Sequence, residues 1–162
     1  MFRSLPTVQA VVRLAEAIGA SGGGYARDSI TLGWEERLRT RARRRSDGGI
    51  EFGTALPRGT VLRAGDALVV DALRLVVVVA ERPEHVLMIT PRTGLEWGLW
   101  GYQLGNSHQP IMLTATTIVC LDDVGMRQVL AHHAIPYQTG LCPFTPVGLT
   151  TDHRHPAAGR FE

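Results

Sequence analysis

His85-Val86-Leu87-Met88-Ile89-Thr90 is an apolar run of strand length, and the order of elements that follows it decides the fold. Residues 93–104 place Leu95, Leu99 and Tyr102 at helical spacing, with Trp97 and Trp100 beside them. That helix should end at Gly105-Asn106, two residues that readily adopt the left-handed turn closing a helix. Residues 111–113 and 116–121 read as strands. Asp122 or Asp123 can cap a helix running to about Ala131, and residues 135–140 form a last strand. The order β-α-β-β-α-β is that of the ferredoxin-like fold.

Upstream the rhythm is different. Residues 29–80 read as short strands with strong turn punctuation. Candidate strands are 30–34, 50–56, 61–62, 67–70 and 73–80, the last apolar enough to be buried on both faces. Asp47-Gly48-Gly49 is a hairpin turn that tolerates positive φ. Between Trp34 and that turn, Leu38, Thr40 and Ala42 alternate with Arg37, Arg39, Arg41 and Arg43, the period of a strand with one solvated, cationic face. Before residue 29, Val8, Val11, Val12, Ala15 and Ile18 keep helical spacing, although their β-branched content suits a strand nearly as well. Gly22-Gly23-Gly24 follows as a loop.

The fold class is therefore α+β. Residues 1–28 are an N-terminal segment of open assignment, and 29–82 a small all-β N-terminal domain. The polar break Glu81-Arg82-Pro83-Glu84 marks the boundary. Residues 83–146 form the ferredoxin-like domain, and 147–162 a flexible, histidine-bearing tail of Gly, Thr, Pro and Ala.

Charge excludes little, because the 162 residues sum to +2. All 17 basic residues are arginine, which fits a high-GC coding bias better than a functional signal. Cys120 and Cys142 make no CxxC or zinc-ribbon spacing, so a reducing cytoplasm is the default compartment. The apolar stretch 73–80 is too short to span a bilayer, and Arg13 and Glu16 interrupt anything resembling a secretory segment. A cytoplasmic protein is expected, with no membrane and no nucleic acid as partner.

Chemistry concentrates on histidine. His108 follows the expected helix end, exposed at the negative end of the helix, where a cation is favoured. Imidazole suits nickel, zinc and copper. One monodentate histidine holds a metal poorly, but a twofold dimer would present a pair. His153 and His155, two apart in an extended tail, face the same side and can chelate together. His132 and His133, adjacent on a helix, diverge and read as structural or solvated. His85 reads as a surface residue and Cys120 as a small buried hydrophobe. No hydrolase elbow, phosphate loop, HExxH or dinucleotide fingerprint occurs, which argues against an enzyme.

Several phrases occur in one order: Leu32-Gly33-Trp34-Glu35-Glu36-Arg37, Leu56-Pro57-Arg58-Gly59-Thr60, Gly65-Asp66, Tyr102-Gln103-Leu104-Gly105-Asn106-Ser107-His108 and Pro143-Phe144-Thr145-Pro146. In this combination, over about residues 30–155, the chain resembles the UreE family of urease accessory proteins, nickel metallochaperones of urease maturation. The resemblance implies a homodimer joined through the second domain. Its metal histidine falls on His108, and the added tail ligands fall on His153 and His155. It also implies as partners the urease accessory GTPase and the urease apoprotein maturation complex, with zinc or copper as alternative metals in vitro. Two departures stand out. Ser107 replaces the usual arginine before the motif histidine. Cys120, Asp122 and Val124 stand where many members carry extra histidines, which counts against a second metal site.

Two other classes compete. A hydrolytic metalloenzyme would need a general base near the metal, and no carboxylate lies close to His108 in sequence. An RNA-binding module would use the basic strand from Arg37 to Arg45, with strongly salt-dependent binding as its signature.

Overall fold

A computed structural model describes residues 5–13 and 24–147. Its first unit is built from two facing sheets. In the three-stranded sheet, β1 (Thr7–Val8) runs parallel to β5 (Glu51–Ala55), and β4 (Arg41–Arg45) pairs antiparallel on the other side of β5. In the four-stranded sheet the order is β2 (Val12–Arg13), β6 (Asp66–Val70), β7 (Leu75–Glu81) and β3 (Ala26–Leu32). The core between them holds Val8, Ile30, Leu32, Phe52, Leu56, Leu62, Leu68, Val70, Leu75, Val77 and Val79. Alternation along β7 sends Val76 and Val78 to a second cluster with Ala67, Val69 and Tyr25 on the outer face, so this strand is covered on both sides as its composition implies. The hairpin turn forms at Asp47-Gly48-Gly49: Ser46 N–H donates to the Ile50 carbonyl at 2.9 Å, and Gly49 takes φ +90°, which an L side chain resists.

Four expectations need correction here. The first unit is not all-β, because Trp34–Leu38 is a helix, α1. It opens at Gly33, whose N–H donates to the Glu36 carboxylate at 3.0 Å, and it begins with acidic Glu35 and Glu36, favourable at a helix N-terminus. The alternation of arginines therefore starts only at Arg41, and the solvated face is not continuous: Arg37 and Arg44 are buried. Residues 61–62 form no strand; Leu62 is buried in the core from a loop tied down by its N–H to the Arg37 carbonyl. The last strand lies later than 135–140, because Ile135 is consumed in closing the preceding helix.

The second unit contains β8 (Pro83–Ile89), α2 (Gly94–Asn106), β9 (Ile111–Leu113), β10 (Ile118–Leu121), α3 (Val124–His132) and β11 (Gln138–Pro143). Its sheet has the order β11-β8-β10-β9, antiparallel throughout. Thr93 caps α2 by accepting from Glu96 N–H at 3.1 Å, and Asp123 caps α3 by accepting from Met126 N–H at 2.9 Å. Both helices cover one face of the sheet through Leu87, Ile89, Leu104, Ile118, Cys120, Met126, Leu130 and Ile135. Against the other face lie Phe144 and, from the first unit, Trp34, whose rings meet edge-on at 5.8 Å. Only Arg82 separates β7 from β8. Among the described residues no helix is long and apolar enough to cross a membrane.

Candidate metal-binding site

The end of α2 determines where His108 stands. Ser107 turns the helix off: its hydroxyl donates to the Leu104 carbonyl at 2.6 Å, and its N–H to the same carbonyl at 3.1 Å. Two donors on one carbonyl satisfy an acceptor that the helix end would leave open. His108 then donates its N–H to the Gly105 carbonyl at 3.1 Å and adopts φ 55°, in the left-handed region. The turn swings the chain into β9 three residues later. It leaves the His108 side chain exposed beside the C-terminal end of the helix, where the partial negative charge of the last carbonyls favours a cation.

Beside that end runs an uncovered apolar stripe. Leu95, Leu99 and Tyr102 stand at i, i+4 and i+7 and are 80%, 51% and 65% exposed. Next to the stripe, Gly94, Gly98, Gly101 and Gly105 share a helix face, and a Cβ built on any of them would meet nothing within 4 Å. The opposite side of the helix, with Leu104 and half-buried Trp97 and Trp100, is what packs on the sheet.

The remaining candidates are placed as follows. His153 and His155 lie outside the described residues. His132 and His133 are exposed at the end of α3, with rings 4.7 Å apart at 82°, and edge-on rings do not converge on one ion. His85 is exposed on β8. Asp122, next to it, is already engaged: Arg127 donates to both carboxylate oxygens, at 2.6 and 2.7 Å. Those hydrogen bonds hold the Asp122 carboxyl below its ordinary range. Cys120 is fully buried, and burial pushes its thiol up to about 12. It is a protonated thiol at neutral pH and not the thiolate that metals bind. Among the described residues no group of three or more His, Cys, Asp or Glu side chains converges. The described residues of a single chain thus offer one well-placed exposed imidazole and no complete ligand set.

Sequence reasoning missed Arg37, which it had placed on a solvated face. Arg37 is 2% exposed. Its Nη1 donates to the Glu81 carboxylate at 3.0 Å and to the Leu62 carbonyl at 3.3 Å. Its Nη2 donates to the Phe144 carbonyl at 2.5 Å and to the Thr145 hydroxyl at 3.1 Å. The signal available was the helix opening at Gly33 with two acidic residues after it, which shifts Arg37 out of the strand phase.

Residues 14–81 match the N-terminal domain of the UreE urease accessory protein, and residues 84–160 match its C-terminal domain. Among curated relatives, the urease accessory protein UreE of a Nostoc species is 34% identical over 128 residues, covering 79% of this chain and 87% of that protein. The urease accessory protein UreE of Ralstonia nicotianae is 34% identical over 135 residues, 82% of this chain and 64% of that protein. That of Bacillus cereus is 32% identical over 111 residues, 68% of this chain and 73% of that protein.

Proposed function

The chain belongs to the UreE family of urease accessory proteins, and from that premise we propose that it is a nickel metallochaperone working in the cytoplasm. Two copies join through the stripe of Leu95, Leu99 and Tyr102 on α2, and His108 from each binds one nickel ion between them. The nickel is cargo, released to the urease maturation complex and its GTPase. The observation that carries this reading is the pairing of an exposed, fixed imidazole with an uncovered apolar helix face next to it. Exposed apolar stripes of this kind mark association surfaces, and twofold closure duplicates whatever stands at their rim. Zinc and copper would bind the same imidazoles in vitro.

The tail histidines His153 and His155 add ligands that attach and detach easily, because the segment loses conformational entropy each time it is captured. Residues 29–82 serve as a strand-built scaffold, residues 83–146 as the metal-binding and dimerisation unit, and 147–162 as the transfer segment. The strand order β11-β8-β10-β9, with two helices on one face, supports a ferredoxin-like arrangement for the second of these.

The experiment is delivery of metal. The full chain and a chain truncated after Thr151 are compared in urease activation at limiting nickel, beside thermal melting of both. The truncated protein should melt as the full chain does and activate urease less. Equal activation when nickel is scarce removes His153 and His155 from the reading.

A further inference from the structure

We propose that the open edge of β4 is a docking site for an extended, acidic segment of a partner protein, which adds to the three-stranded sheet as a further strand. Arg41, Arg43 and Arg45 form that edge, and the site stands independently of the metal at His108.

Register shows which backbone groups face outward. The ladder sets Arg41 opposite Ala55, Arg43 opposite Gly53 and Arg45 opposite Glu51. Just beyond its two ends, Ser46 N–H donates to the Ile50 carbonyl and Leu56 N–H to the Thr40 carbonyl, both at 2.9 Å. Hydrogen-bonded and non-hydrogen-bonded pairs alternate along an antiparallel ladder, so the even-numbered residues of β4 turn their N–H and C=O groups to β5. Those of Arg41, Arg43 and Arg45 point the other way. β4 is the last strand of its sheet, and among the described residues these outward groups have no backbone partner.

The side chains carry a second, separate signal. Arg44 is buried, whereas Arg41, Arg43 and Arg45 stand exposed on the outer face. Of their three partners across the ladder, only Glu51 is charged. Arg43 meets it at 2.6 Å, with the two side chains 68% and 47% exposed. A pair so open to water contributes little and is readily exchanged for a carboxylate from outside. Among the described residues Arg41 and Arg45 make no ion pair.

Charged side chains on an edge strand commonly keep other strands away. Here their shared sign decides which strands are refused. A second copy of β4 alongside would set arginine against arginine, which destabilises a cross-strand pair. A strand with carboxylates at every second position meets all three, because side chains two apart share a face and repeat at about 6.8 Å. Main-chain hydrogen bonds then give affinity, and the arginines choose the partner. RNA, the other ligand of a basic strand, binds by stacking its bases on aromatic rings. The aromatic residue that β4 and β5 supply is Phe52, which is fully buried.

The test is an NMR titration of the full chain with a blocked heptapeptide of alternating threonine and glutamate. The peptide should bind and shield the amides of Arg41, Arg43 and Arg45 from hydrogen exchange, while those of Ala42 and Arg44, already turned to β5, change little. The same peptide with lysine for glutamate should not bind. Arg41→Thr, Arg43→Thr and Arg45→Thr together should weaken the glutamate peptide about eight-fold, at roughly two-fold for each exposed ion pair. Arg43→Pro removes an outward N–H but no ladder bond, so it should weaken binding more than Arg43→Thr alone; these two variants carry the test if the triple one does not fold. No binding of the glutamate peptide overturns the proposal and leaves the arginines as guards of the edge. Binding without shielding of the three amides, or equal binding by Arg43→Pro and Arg43→Thr, overturns it in favour of unspecific charge attraction. Tighter binding of a uridine oligonucleotide at the same arginines overturns it in favour of nucleic acid.

Discussion

The two units leave their apolar side chains in different states. In the first, two sheets close on each other, Phe52 and Leu62 are fully buried, and among the described residues the exposed large hydrophobics are the isolated Ile50 and Leu73. In the second, the sheet is covered on one face by helices and on the other by Trp34 and Phe144, yet Leu95, Leu99 and Tyr102 remain in contiguous view of solvent. A scaffold can be complete within one chain. The site proposed above needs two imidazoles and cannot be, and on that proposal the uncovered stripe is where a second copy supplies the other.

The sharpest way to break that contrast is to put charge on each unit's exposed leucines. Leu99→Asp should weaken self-association by about a hundred-fold or more, because burying a leucine contributes roughly 1.5–3 kcal/mol and a twofold interface loses it twice. Leu73→Asp, in the first unit, should leave the association state unchanged in sedimentation. If both variants remain dimers, the stripe on α2 is not the interface.

A smaller effect separates stability from function at the helix end. His108 holds a left-handed backbone that costs an L residue about 1 kcal/mol relative to glycine. His108→Gly should therefore melt slightly higher, or at least not lower once glycine's extra chain entropy is counted, while losing nickel. A variant that loses stability and metal together would make His108 a packing residue.

The smallest expected difference appears in acid. Asp28 and Asp47 in the first unit have lowered pKa values, mainly from hydrogen bonds given by Ser46 and Ser29 respectively, and Glu51 is lowered chiefly by Arg43. In the second unit Asp122 is lowered by Arg127. A depressed folded pKa contributes stability that is present above the ordinary carboxylate pKa, about 4, and is lost as pH falls through the folded value. Stability should hold down to about pH 4 and decline below it, with first-unit amides losing protection before those of the second. Asp47→Asn should flatten that decline, and an unchanged acid profile would show that Asp47 does not contribute.

The same contrast explains what the sequence disclosed. In the second unit local chemistry coincides with tertiary structure: Asp123, one of the two aspartates expected to cap the second helix, caps it, and His108 sits just past the end of the first. The first unit misled where partners were distant. Arg37 finds Glu81 and Phe144, 44 and 107 positions away, and no alternation pattern encodes that. Leu62 is buried without being in a strand, because a loop delivers it. Residues 7–8 and 12–13 pair with β5 and β6, whereas the spacing of the valines there had pointed to a helix and only their β-branched side chains to a strand. At the candidate site, the place of His108 just past the helix end was readable, and the left-handed turn that holds it there was not.

The most direct measurement is calorimetric titration of nickel into the natural chain and into His108→Ala, with the association state followed by sedimentation in the same buffer. The account predicts a dimer without metal, one tightly bound ion per two chains, and loss of that tight binding in His108→Ala while the dimer persists. Undiminished tight binding by His108→Ala, or one ion per chain in a monomer, would contradict it.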